Sequence, residues 1–480
     1  MVISVVSVDT SFERPTVAID VRQLSRTHMT NIKSSEYINE QRREYSLYVL
    51  QSRAIPHAAD GLKAAARRVL WVARDGKKRK SAALAGECMP LHPHAAPESA
   101  INTLAAHYGN NIPLLTGYGA FGTLLDPTAY GASRYTAVVM SKFSEDVVLR
   151  DIEVIPMMEN YDGTLEEPKH FLPLIPIVLL NPQEGIAVGF ASDILPRSLE
   201  DIIHTQICYL SGKGFKEPKP TFAPTKQKAY WNDELNKWTF VGEIKKEGAI
   251  NVYVTNLPYG LTHESFISKL MKWQEESPTS ESMPQIIEYT DSSKDNIDIH
   301  IQFKKGSLSR KSDEDILLHL DLVKSLSENM NVINFDGKSV WAPTYAELIA
   351  DFCDWRLSWY VARYERLAKL LQEEIQRYQD ILLAIKKDVG SLARQIKSRD
   401  DLKQQLKNMG IVYVDYIADL PIYRFTVEEK AKIEKKYLDA VELMQRYKLL
   451  LKDEDERRKI YVEELKEVLT KYNKGQYSVE

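Results

Sequence analysis

The chain has 480 residues, 44% hydrophobic and 27% charged, enough apolar matter for about three domains of ordinary size. Lys plus Arg (63) nearly balances Asp plus Glu (67), and the net charge of −4 counts mildly against a nucleic-acid binder that is basic throughout. Three cysteines far apart (Cys88, Cys208, Cys353) exclude a disulfide scaffold and point to a reduced, cytoplasmic setting. Apolar stretches such as Phe171–Leu180 are cut by prolines and fall short of the ~20 residues that cross a bilayer, so no membrane partner is expected. Val2–Val8 has no basic flank, and no signal peptide is expected.

Residues 1–33 read as an N-terminal arm. Over 34–165, helices are predicted at Ser35–Gln51, at Gly61–Arg74 and from about Glu98 to Tyr108. Two helices joined by a short segment, one of them basic, fit a helix-turn-helix or winged-helix module. Eight basic residues lie between Leu62 and Lys80 against one acid, Asp75, the footprint of a localised phosphate contact. Gly117-Tyr118-Gly119-Ala120-Phe121-Gly122 reads as loop.

Residues 166–342 change character. Ile175–Leu180, Gly185–Gly189, Lys237–Val241, Ala249–Val254 and Ile297–Phe303 are β-like, with a helix at Glu264–Glu275, so an α/β domain is expected. After Pro343 the pattern is helical. Leu357, Val361, Tyr364, Ala368, Leu371, Ile375, Tyr378, Leu382 and Ile385 are spaced alternately by four and three, a heptad seam. Tyr461, Leu465, Val468 and Tyr472 repeat the spacing. The expectation is a long antiparallel coiled coil: an outgoing helix over 343–398, a helical knob over 399–452 and a returning helix over 453–480. The fold class is thus α+β and multidomain.

Common catalytic signatures are absent: no phosphate loop, no His-Glu-x-x-His, no nucleophile elbow and no dinucleotide fingerprint. An ordered set of motifs is present instead. Ser52-Arg53-Ala54-Ile55-Pro56 is followed by Asp60-Gly61-Leu62-Lys63 and Arg67-Arg68. Next come His92-Pro93-His94, the Gly117–Gly122 stretch, Ala132-Ser133-Arg134-Tyr135-Thr136, Leu180-Asn181 and Gly185-Ile186-Ala187-Val188-Gly189. Taken together, over roughly residues 35–475, these resemble the breakage-reunion subunit of type IIA DNA topoisomerases. The short chain and the Ser-Arg-Tyr form are most similar to the medium-subunit branch of the split enzymes of T-even-like bacteriophages, which would place it in a host cytoplasm.

The resemblance implies a fold of winged helix, tower and coiled coil ending in a C-gate knob. It implies that Tyr135 attacks a DNA phosphorus to give a 5′-phosphotyrosyl ester, beside Arg134, Arg53 and His94. A phenol titrates near 10 and needs positive charge or a base nearby. A planar guanidinium can hold two phosphate oxygens and stabilise the charge of a pentacovalent transition state. Lys63, Arg67, Arg68, His92 and Ser99 are expected at DNA, and Ile186 between base pairs, as apolar wedges act elsewhere. The family usually has Gly and an acid after the second histidine; here Ala95-Ala96-Pro97 intervene, so the start of the recognition helix is altered.

Neither an ATPase module nor the Glu…Asp-x-Asp pattern of the metal-binding partner is visible, so Mg2+ and ATP are expected on a large partner subunit. A homodimer through the knob and the winged-helix domain, acting on double-stranded DNA, is expected, since two-fold symmetry matches two strand cuts. No C-terminal pinwheel follows the returning helix, so relaxation or decatenation is expected rather than active supercoiling. The competing reading is a DNA-architectural protein of winged helix and coiled coil in which Tyr135 is structural.

Overall fold

The computed structural model describes residues 17–18, 34–93, 97–187, 189–275, 285–306, 308 and 311–477. They form two units, Met1–Cys353 with Glu464–Glu480, and Asp354–Glu463. Apart from Val17–Ala18, which pairs with Ser339 and Val340, the expected arm lies outside the described residues. The fold is mixed α+β, with many helices and several small antiparallel sheets.

In the first unit, helix α1 (Ser34–Val49) runs into a wide turn, Leu50–Ala54, where Ile55 N donates to Leu50 O at 3.2 Å. Such i to i+5 turns are uncommon and concentrate at functional positions. Helices α2 (Ala64–Ala73), α3 (Ser81–Cys88) and α4 (Pro97–Ala105) pack on one another. Beside them lies a three-stranded antiparallel sheet with Ala137–Met140 between Arg79–Lys80 and Leu115–Tyr118. Helix α3 is not among the predicted helices. Its buried positions, Ser81, Leu84, Ala85 and Cys88, keep helical spacing but are mostly small, so the apolar signal is faint.

The strand expected at Ile175–Leu180 is instead buried irregular chain with a short 3-10 turn, Ile177–Leu179, after Pro176. A proline lacks the N–H a central strand would need. The chain passes so close to Gly61 (φ +65°) that a Cβ there would lie 2.3 Å from Val178 N. The Asp60-Gly61 pair therefore needs glycine for both conformation and space.

Further along come α5 (Leu199–Leu210), α6 (His263–Glu275) and α7 (Asp313–His319). Strands Glu243–Glu247, Asn251–Asn256, Ile299–Phe303 and Ile286–Asp291 form one antiparallel sheet in that order. Val252 and Val254, then Ile299, Ile301 and Phe303, point alternately inward against Phe266 and Leu270 of α6 and Ile316 of α7. Each such buried side chain stabilises by about 1.5–3 kcal/mol. Strands Gln183–Ala187 and Phe190–Ile194 form a hairpin whose turn end packs on the wide turn after α1, through Ala54, Ile55, Ala187 and Phe190. Gly185 makes this possible, because a Cβ there would lie 2.1 Å from Ala54 O.

Helix α8 (Tyr345–Lys386) has 42 residues. Within the second unit it is followed by α9 (Val389–Gln395), α10 (Arg399–Asn408), α11 (Val414–Ala418), α12 (Val427–Lys452) and the first turns of α13 (Glu454–Asn473). The heptad positions Leu371 and Ile375 pack on Ala440 and Met444 of α12. The Tyr364 and Tyr447 rings meet tilted at 5.6 Å and Gln379 Nε2 donates to Tyr437 Oη (3.2 Å), so the two helices run antiparallel. This corrects one boundary: the helix returning along the seam is α12, within the span expected to form the knob. Tyr461 of α13 meets Tyr360 only near the start of the seam, at 5.4 Å. The small end cluster is built from Ile381, Ala384, Leu406, Ile411, Ile417 and Ile433. Buried Asp380 ties it together, accepting from Val412 N (3.0 Å) and Tyr413 N (2.6 Å).

Candidate functional site

The basic run divides in two. Arg67 and Arg68 on α2 point inward. Asp60, fully buried, accepts from Arg67 Nε (2.6 Å) and Nη2 (3.0 Å), from Leu62 N (3.1 Å) and from Phe171 N (3.0 Å). Burial alone would raise the Asp60 carboxyl, but the charge and hydrogen bonds of Arg67 hold it below the usual range. Arg68 Nε lies 2.5 Å from Glu167 Oε2, and both are buried. The expectation that Arg67 and Arg68 contact phosphates is therefore corrected: both guanidiniums are already matched to carboxylates, and a buried pair is costly to break. The Asp60-Gly61-Leu62 and Arg67-Arg68 motifs act as fasteners of the core.

The other half of the run faces outward. Arg74, Lys77, Lys78 and Lys80 are exposed on the turn between α2 and α3. Lys78 Nζ sits 3.4 Å from the centroid of the exposed Tyr118 ring. Lys80 Nζ donates to the Tyr135 carbonyl at 3.1 Å. These lysines are visible in the charge count; only burial separates them from Arg67 and Arg68.

Tyr135 is 69% exposed. The loop that carries it leads directly into the central strand Ala137–Met140 and is pinned from several sides. Tyr135 N donates to Ala132 O (2.8 Å), Ala82 N to Ser133 O (3.1 Å) and Ser81 N to Thr136 O (3.1 Å). Thr136 Oγ1 donates to Ser81 Oγ at 2.7 Å, and Ser133 Oγ to Glu98 Oε1 at 2.8 Å. The exposed Arg134 places its guanidinium carbon 4.8 Å from the Tyr135 ring centroid. The phenol thus projects into solvent from a constrained backbone, with a cation against its ring.

Arg53 is exposed on the wide turn and lines a cleft of about 880 Å3 between α1, α2, α4 and the hairpin strand. Lys63, Arg68, His92 and Ser99 line the same cleft, so the structure brings together five of the expected residues, Arg68 with its guanidinium committed to Glu167. Tyr135 and Arg134 are not among its lining residues. Lys63 is half-buried and donates to Glu184 O at 2.5 Å; burial lowers its pKa, with Glu184 opposing. His92 is buried, with Nε2 2.5 Å from Tyr48 Oη and its ring edge-on to Tyr161. Ser99 is exposed on the first turn of α4. His94 lies outside the described residues. Ile186 is 88% exposed on the hairpin whose turn end packs on Arg53's turn. An isoleucine so bare on a paired strand is not part of this chain's core.

Among the described residues, no group of three or more His, Cys, Asp or Glu side chains is placed to hold a metal ion. No described helix is long and apolar enough to cross a membrane.

These features define an α+β protein with an exposed tyrosine, a basic turn beside it and a helical second unit. The sequence profile of the DNA gyrase/topoisomerase IV A-subunit family matches residues 53–466, and the chain belongs to that family. It is 28% identical over 422 residues to the DNA topoisomerase medium subunit of Enterobacteria phage T4, covering 84% of this chain and 92% of that one. It is 26% identical over 475 residues to the A-subunit of DNA topoisomerase 4 from Pseudomonas aeruginosa, covering 93% of this chain and 62% of that one. With the A-subunit of DNA gyrase from Borrelia hermsii the identity is 25% over 473 residues, covering 90% and 56%. The chain thus spans little more than half the length of these two bacterial relatives.

Proposed function

We propose that this chain is the DNA-cleaving and rejoining subunit of a type IIA topoisomerase. The observation that carries the reading is Tyr135: a 69% exposed phenol on a pinned loop, with Arg134 4.8 Å from its ring. Its Oη attacks a backbone phosphorus. The phenolic proton leaves, the bond from phosphorus to the 3′ oxygen breaks, and that oxygen takes up a proton. The product is a 5′-phosphotyrosyl ester, so resealing is simple reversal. Arg53, Arg134 and His94 stabilise the charge that builds on the phosphate oxygens. The working form is a homodimer, because two-fold symmetry matches two strand cuts.

In this reading the helices α2 to α4 with their sheet form a winged-helix domain, the middle sheets form a tower, and α8 with α12 forms a coiled coil ending in a gate. Exposed Val412, Tyr416, Tyr423 and Val427 near the end cluster offer an apolar face for the dimer contact. Ile186 wedges between base pairs and bends the cleaved duplex, with Ser99 on α4 at DNA. Mg2+ and ATP are brought by a large partner subunit.

The test is to mix the purified chain with its large subunit, plasmid DNA, ATP and Mg2+, denature with detergent, and map the covalent adduct by mass spectrometry. An adduct on Tyr135 is expected. Its absence under every condition, with DNA binding intact, would leave an architectural DNA-binding protein.

A further inference from the structure

We propose that Glu98 is a positioning residue for DNA cleavage, acting through Ser133 to set the height and direction of the Tyr135 phenol. The proposal rests on the reading of Tyr135 as nucleophile. Helix α4 has two faces. Ser99, Ala100, Thr103 and Leu104 form part of the wall of Arg53's cleft. Glu98, in its first turn, instead reaches the tyrosine loop, where its Oε1 accepts the Ser133 hydroxyl at 2.8 Å. One short helix therefore links the cleft that holds Arg53 to the loop that holds Tyr135.

The rest of the loop is anchored at its ends. Ser133 O and Thr136 O accept from Ala82 N and Ser81 N at 3.1 Å each. Both anchors come from the start of α3, and on the other flank Gly131 N donates to Ala120 O at 2.9 Å; all of these bonds are to backbone atoms of the loop. Lys80 holds the Tyr135 carbonyl from the same side. The Glu98–Ser133 bond comes from α4 and holds the crest by a side chain next but one to Tyr135. A hydrogen bond to an ionised carboxylate is shorter and stronger than one between neutral groups. In-line attack is sensitive to such placement, since a shift of about 1 Å can cost about 100-fold in rate.

The experiment uses the full chain assembled with its large subunit and a duplex oligonucleotide carrying one cleavage site. Single-turnover adduct formation is followed against DNA concentration, so that the maximal rate and half-saturating DNA are obtained separately. Glu98→Ala and Ser133→Ala are each expected to lower the maximal rate by about tenfold, with half-saturation unchanged. The double variant is expected to be no slower than either single one, because both remove the same bond. Glu98→Gln and Ser133→Thr keep an acceptor and a hydroxyl, and are expected to restore most of the rate. Circular dichroism of each variant controls for folding of α4. Rates within twofold of the unaltered chain in both alanine variants would overturn the proposal. So would a loss confined to half-saturating DNA, which marks a DNA contact, or a Glu98→Gln variant as slow as Glu98→Ala. If the unaltered chain forms its adduct elsewhere than Tyr135, the nucleophile reading and this proposal fall together. If it forms on Tyr135 and the variants match it, only this proposal falls.

Discussion

Helix α2 and the turn that follows it carry the same kind of residue and put it to opposite use. Arg67 and Arg68 are buried against Asp60 and Glu167, whereas Arg74, Lys77, Lys78 and Lys80 face water beside Tyr118 and Tyr135. The difference lies in the partners. Each buried arginine is matched to a carboxylate supplied by a different part of the chain, which repays the cost of desolvation. The turn has one acid, Asp75, which meets Arg79 at 2.6 Å and the exposed Lys77 at 3.4 Å, too little negative charge to draw the run inward. A run of positive charge thus contains both core fasteners and solvent-facing cations, and only the first kind should matter to folding.

The sharpest way to break this division is at the nucleophile. Tyr135→Phe should abolish the covalent adduct while thermal unfolding is unchanged, since the side chain is exposed. A surviving adduct would remove the phenol from the chemistry. Next in size, Arg68→Ala should cost about 3–5 kcal/mol in denaturant unfolding, because it strands Glu167 in the interior. Arg53→Ala should do the reverse. Its cleavage rate should fall by about 100- to 1000-fold, with stability within about 0.5 kcal/mol. Equal stability losses in the two arginine variants would erase the distinction.

A smaller effect is set by pH. Burial pushes the His170 imidazole down to about 4, with the Asp60 charge and the Phe171 carbonyl opposing and Arg67 and Lys169 adding to the depression. An unfolded histidine titrates at about 6.5. As pH falls from about 6.5 toward 4, the unfolded chain takes up a proton that the folded chain refuses, so stability declines across that window. Above it the contribution is level. His57, lowered for the same first reason, packs beside it at 5.5 Å and acts in the same direction. Urea unfolding at a series of pH values should show this slope, and His170→Asn should flatten it. Smallest of all, Lys77→Ala should weaken DNA binding uniformly and reduce the salt slope by about 1. An unchanged slope would place the turn away from the duplex.

Much of the architecture was legible because it rests on periodicity. The four-three spacing from Leu357 to Ile385 announces a helix, and α8 covers it; the alternation in Lys237–Val241 and Ile299–Phe303 announces strands. What failed was partner choice. Nothing in the seam itself says whether α12 or α13 packs along it, since both helices carry apolar positions at suitable intervals. The apolar run Ile175–Leu180 could serve a strand or a buried crossing, and Gly61 on the other side of that crossing helped decide it.

The candidate site divides in the same way. Tyr135, Arg134, Arg53 and Ile186 were singled out in the sequence by the ordered motifs that resemble the family, and the structure leaves all four side chains exposed. Tertiary structure decided which cations are free, because the carboxylates that bury Arg67 and Arg68 lie 7 and 99 residues away along the chain. It also decided that Glu98, 35 residues from Ser133, reaches the tyrosine loop. Periodicity and residue type are local properties that the chain carries unfolded; pairing and burial exist only once distant segments have met.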